Sequence, residues 1–112
     1  MARINLARAD AGRAHRAVPG DVVVVRLDET PTSGHRWQIE EYDPAVLRPS
    51  GEEALAPASR TGGQGLRELR FDVIGAGSSR LALALRRAWE GAASAVDRFE
   101  ADIAADPGFA GG

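Results

Sequence analysis

The sequence contains no cysteine. Disulfides, thiolate metal sites and a cysteine nucleophile are therefore excluded. It contains no lysine either, so all 14 basic residues are arginines. With the abundant alanine and glycine, this points to a GC-rich genome. There is no excess of positive charge: 14 basic residues face 16 acidic ones, for a net charge of −2. A nucleic-acid footprint needs a clustered basic face, and this balance does not supply one. No apolar run approaches the ~20 residues of a membrane-spanning helix. Residues 1–16 alternate alanine with arginine and aspartate and show no apolar export segment. The expectation is a cytoplasmic protein as written, or a periplasmic or secreted one if an export signal has been removed.

What is present is one domain's worth of chain. At 112 residues, folding buries roughly two-thirds of the unfolded surface, enough for one core without staples. We expect a single domain over residues 1–112, with its core at about 18–105 and frayed termini, acting as a monomer. Val22-Val23-Val24-Val25 are β-branched and stiff, and they predict a central strand over residues 21–27. Pro19-Gly20 before them mark a turn. Residues 29–35 have loop chemistry throughout. Trp37, Ile39 and Glu41 alternate with Gln38 and Glu40, a strand with Trp37 pointing inward. Arg48-Pro49-Ser50-Gly51 reads as a break, and residues 52–58 as a short strand or irregular edge, with Pro57 favouring an edge. Leu69, Phe71 and Val73 alternate with Arg70 and Asp72. Leu81, Leu83 and Leu85 alternate with Ala82 and Ala84. Residues 94–105 fit two periods. Phe99, Ala101 and Ile103 alternate as in a strand, while Val96, Phe99 and Ile103 fall at helical spacing. Six or seven short strands, with no room for crossover helices, predict an all-β antiparallel sandwich or barrel.

No residue set suggests catalysis. His15 and His35 lie far apart with no ligand partner at metal spacing, so neither a metal nor a cofactor is expected. Gly62-Gly63-Gln64-Gly65 lacks the lysine and the following helix of a phosphate loop. Ser33 is not in a nucleophile elbow. Glu40 and Glu41 point to opposite faces of a strand and make a poor acid–base pair. Two loops stand out from a bland β-domain. Thr30-Pro31-Thr32-Ser33-Gly34-His35 precedes Trp37, and reads either as a hairpin turn beside a core tryptophan or as a binding loop. Arg86-Arg87-Ala88-Trp89-Glu90-Gly91 joins two strands. Its Trp89 is either core or, beside an arginine, a binding hot spot at a loop tip.

Taken together these residues resemble the chagasin family, protein inhibitors of papain-like cysteine peptidases. The family carries Asn-Pro-Thr-Thr-Gly-Tyr/Phe followed by Trp, then Gly-x-Gly-Gly, then Arg-Pro-Trp/Phe. The corresponding stretches are Thr30-Pro31-Thr32-Ser33-Gly34-His35 with Trp37, Gly62-Gly63-Gln64-Gly65 with Phe71 beyond it, and Arg87-Ala88-Trp89. Order and spacing match from about residue 21 to residue 103. Thr30, His35, Gln64 and Ala88 depart from the motifs, and Leu85 stands where a Tyr is common. The resemblance implies an immunoglobulin-like β-sandwich of about seven strands, with residues 94–105 ending in a strand. It implies a reversible, non-covalent inhibitor that blocks a peptidase cleft with three loops at one end. Thr32 would lie nearest the peptidase's catalytic cysteine. The Gly-rich loop would follow the non-primed subsites. Trp89 would pack on the primed side with Arg87 as its polar neighbour. The alternative is a non-inhibitory immunoglobulin-like binding or assembly module, which papain inhibition would distinguish.

Overall fold

The computed structural model describes residues 2–29, 34–55 and 65–107. Eight strands follow one another: β1 (Arg3–Leu6), β2 (Ala14–Ala17), β3 (Val22–Glu29), β4 (His35–Glu41), β5 (Leu47–Leu55), β6 (Gly65–Val73), β7 (Gly77–Arg87) and β8 (Asp97–Ala105). Among the described residues there is no α-helix, and two 3₁₀ turns occur at Arg8–Asp10 and Ala92–Ser94. One sheet has the order β1-β3-β6-β5, the other β2-β8-β7-β4. The sheets face each other as an immunoglobulin-like sandwich.

The inward faces follow from period-two alternation. Val23, Val25 and Leu27 of β3 lie opposite Phe71, Leu69 and Arg67 of β6. Across the sandwich Trp37 of β4, Leu81 and Leu83 of β7, and Phe99 and Ile103 of β8 complete the core. Burying each large apolar side chain is worth roughly 1.5–3 kcal/mol, and this core is the main driving force for the fold. The valine run does form a central strand, flanked by β1 and β6. Residues 97–105 are a strand, not a helix: Phe99, Ala101, Ile103 and Ala105 are buried in alternation, whereas Val96, needed for the helical stripe, is 63% exposed.

Three features differ from the sequence expectation. The core reaches past residue 18, because residues 3–6 and 14–17 form strands rather than a frayed end. β1 pairs in parallel with β3, and β2 in parallel with β8. Each buries one residue on the core, Leu6 and Ala17. Second, residues 48–51 do not break the chain. They lie inside β5, where a register shift between Pro49 and Gly51 forms a bulge. β5 is an edge strand, so a proline without a donor is tolerated there. Third, the alternation of β4 is interrupted by a register shift between Ile39 and Glu41. Pro57 lies outside the described residues.

The end where β3 begins and β6 finishes is closed by main-chain bonds and one carboxylate. The Gly20 N–H donates to the Val73 carbonyl at 2.8 Å, and the Val73 N–H to the Asp21 carbonyl at 2.9 Å. The Asp21 carboxylate accepts the N–H groups of Ala2 (2.8 Å) and Val18 (3.0 Å). Nearby, the position of a Cβ on Gly75 lies 2.2 Å from the Ala45 carbonyl oxygen. Only glycine lets the two backbones approach so closely.

Candidate functional site

Pairing at the opposite end brings three connections together. The last residue of β3, Glu29, lies across from the first of β6, Gly65. Leu55, ending β5, lies across from Leu66. His35, opening β4, lies across from Arg87, closing β7, and Leu85 lies across from Asp97, opening β8. The connections 30–34, 56–64 and 88–96 therefore all leave from one end of the sandwich.

The first and third connections touch. Gly34 has φ +80°, and the position of a Cβ there lies 3.3 Å from Trp89 Cη2 and 3.8 Å from Arg87 Nε. A side chain at residue 34 would be strained and would crowd the indole. Trp89 is 75% exposed, resting one edge on the Gly34 backbone and presenting the rest to solvent. Residues 87–90 form a β-turn closed by the Glu90 N–H donating to the Arg87 carbonyl at 3.0 Å. Among the described residues no non-glycine residue has positive φ, so Ala88 and Trp89 occupy the central positions of a type I turn. Among the described residues nothing accepts the Ala88 N–H. Arg87 also lies 3.8 Å from the Glu90 carboxylate.

Arg86 holds this turn from below. Its Nη1 donates to the Glu90 carbonyl at 2.6 Å and reaches the Arg87 and Ala88 carbonyls at 3.3 and 3.4 Å. Its Nη2 meets Glu40, the extra residue of the β4 bulge, at 3.3 Å. Beneath the first connection, Trp37 is 2% exposed. Its indole N–H donates to the Asp28 carbonyl at 2.9 Å and its backbone N–H to Glu29 Oε2 at 3.1 Å. The Arg8 guanidinium lies 5.6 Å from the Trp37 ring centroid, within cation–π range. Arg8 also pairs with Asp97 and donates to the Arg98 carbonyl. The 3₁₀ segment thus links Trp37 of β4 to the start of β8.

Between the sheets, Arg67 Nε donates to both oxygens of Glu29, at 3.0 and 2.8 Å, and Arg67 Nη1 donates to Glu52 at 2.8 Å. Hydrogen bonding to Glu29 raises the affinity of the Arg67 guanidinium for its proton.

Of the residues selected from sequence, Gly34, His35, Arg87, Ala88 and Trp89 are brought into one cluster. Gly65 lies on the neighbouring strand pair at the same end. Thr30, Pro31, Thr32, Ser33, Gly62, Gly63 and Gln64 lie outside the described residues. His15 lies away from the cluster, its Nε2 3.4 Å from the Asp10 carbonyl. The sequence reading missed Glu29, Arg67 and Arg8, and it named Arg86 only as part of the loop 86–91, whereas Arg86 lies in β7. The first two did leave a signal: each continues, in phase, the inward series of its strand.

A family pattern described as chagasin family peptidase inhibitor I42 matches residues 16–103. The chain belongs to the chagasin family of peptidase inhibitors, a family of inhibitors and not of enzymes. No curated protein matches it in sequence. Among solved structures it is similar to the cysteine protease inhibitor EhICP2 from Entamoeba histolytica, at 19% identity and a TM-score of 0.81, over 94% of this chain and 96% of that one. It is similar to Amebosin at 18% identity and a TM-score of 0.77, over 93% and 98%. It is also similar to PbICP-C, solved in complex with falcipain-2, at 8% identity and a TM-score of 0.65, over 95% and 100%. At these identities the likeness shows a common fold.

Proposed function

We propose that this protein is a reversible, non-covalent inhibitor of papain-like cysteine peptidases, acting as a monomer. Three connections at one end would form a wedge that occupies the peptidase cleft. The observation that carries this reading is Trp89, 75% exposed at a turn tip and seated on Gly34 of the first connection. A large rigid ring left in water beside a close-packed backbone has the character of a binding anchor. Family membership supports the reading. So does likeness to EhICP2, a cysteine protease inhibitor, and to PbICP-C, solved with falcipain-2.

In this reading Thr30, Pro31, Thr32, Ser33, Gly34 and His35 cover the catalytic cysteine of the peptidase, with Thr32 nearest to it. Pro31 fixes one φ and lowers the entropy lost on binding. Gly62, Gly63, Gln64 and Gly65 lie along the non-primed subsites like a substrate strand. Trp89 packs on the primed side, with Arg87 beside it and Ala88 at the turn. Such a wedge would bury on the order of 800 Å² per partner.

Titration into papain tests the proposal. Inhibition should be reversible and competitive, with intact protein recovered after long incubation. Trp89→Ala should weaken binding by at least about 2 kcal/mol with little effect on folding. Ala88→Pro should bind equally or more tightly, because the first central position of a type I turn suits proline and no hydrogen bond is lost. Unchanged affinity in Trp89→Ala would defeat the reading. So would absence of affinity in the parent, Ala88→Pro and His35→Tyr forms alike. The altered motif positions Thr30, His35, Gln64 and Ala88 would then favour a non-inhibitory immunoglobulin-like binding or assembly module.

A further inference from the structure

We propose that the buried pair Glu29–Arg67 is a positioning device that fixes the first connection relative to the second for peptidase binding. This rests on the inhibitory reading above. The inward series of β3 runs Val23, Val25, Leu27 and then Glu29. That of β6, followed back from its end, runs Val73, Phe71, Leu69 and then Arg67. At the last layer before the connections, where the pattern calls for apolar residues, two charges meet instead. Their side chains are 1% and 9% exposed.

Stability does not explain this choice. Removing two charges from water is costly, and well-packed apolar residues of similar volume are often as stabilising or more so. What an apolar pair lacks is direction. A guanidinium–carboxylate pair fixes both distance and orientation. Here its bonds reach four strands. Glu29 ends β3 and accepts from Arg67 of β6 and from the Trp37 backbone of β4, while Arg67 also donates to Glu52 of β5. β3 and β4 flank the first connection, and β5 and β6 flank the second. One charged cluster therefore sets the spacing of both bases, across the two sheets.

The test replaces both charges with apolar groups of similar size, Glu29→Leu with Arg67→Met, in the full chain. Three quantities are read: the urea midpoint, the inhibition constant for papain, and amide exchange at His35 and Gly65. The double variant should keep a cooperative urea transition, its midpoint lowered by no more than the loss of the acceptor for the Trp37 N–H explains, yet inhibit papain at least tenfold more weakly, mainly through faster dissociation, with faster exchange at both amides. A double variant that inhibits as well as the parent overturns the proposal. If the double variant does not fold, Glu29→Gln decides. A several-fold weaker inhibitor with a cooperative unfolding transition supports positioning, and parental inhibition overturns it. If the parent itself does not inhibit papain, the inhibitory reading fails separately. Exchange then decides the positioning claim: unchanged protection at His35 and Gly65 in the double variant overturns it.

Discussion

The two tryptophans occupy opposite environments, and each environment sets what its loss does. Trp37 is in the core with both its N–H groups bonded, to Asp28 and Glu29, under the Arg8 guanidinium. Trp37→Ala removes a buried ring and should cost about 3–5 kcal/mol, a large share of a small domain's stability. A fall in urea midpoint checks it, and an unchanged midpoint would show that the ring does not anchor the core. Trp89→Ala should shift stability by no more than about 0.5 kcal/mol, since most of its ring is in water. Trp37 was legible because it alternates with polar neighbours. Arg86 was not. Its work is to bond the carbonyls of residues 87, 88 and 90, and that depends on how the chain turns back over it, which no local pattern encodes.

At the level of elements, the described glycine with least room for a side chain is Gly75, beside Ala45. A Cβ on Gly75 would lie 2.2 Å from a backbone oxygen, and backbone yields less readily than a side chain. Gly75→Ala should cost about 1–3 kcal/mol. Gly91→Ala, where nothing lies within 4 Å of the new methyl, should be close to neutral in the same thermal melt. Equal melting of the two would mean that the two connections part there without penalty. β4 and β6 could be read from sequence because apolar and polar residues alternate along them, β7 because its leucines alternate with alanines, and β3 from its run of β-branched valines. β1 and β2 could not. Their residues, Arg-Ile-Asn-Leu and Ala-His-Arg-Ala, bury little and are defined by main-chain bonds to strands far along the chain. β5 was obscured by Pro49 and Gly51, which signal a turn locally but serve as a bulge at a sheet edge. Of the candidate cluster, the glycine, the exposed tryptophan and the adjacent arginine were visible as motif residues. Glu29 and Arg67 were masked by the rule that charges face water.

For the molecule as a whole, two carboxylates set the response to acid. The N–H groups of Val18, then Ala2, hold Asp21 below the usual aspartate range. The hydrogen bond from Arg26 does the same for Glu68 against the opposing effect of burial, with Arg70 assisting. Both favour the folded state while ionised, so their contribution is complete above the ordinary values of about 3.9 and 4.3. It is lost as pH falls through the lower folded-state values. The urea midpoint should therefore drop between pH 5 and pH 2.5. Asp21→Asn should start lower at neutral pH and fall less steeply; a variant that tracks the parent at every pH would show that Asp21 is not involved. The strand order β2-β8-β7-β4 carries a further consequence, for biosynthesis. Among the described strands β8 is the last to leave the ribosome, yet it lies between β2, an early one, and the rest of its sheet. That sheet cannot close until β8 has emerged, and β2 must wait until then with an open edge. Such long-range pairing belongs to the slow, millisecond-to-second class of folding reactions, and the nascent chain is exposed to aggregation for that interval.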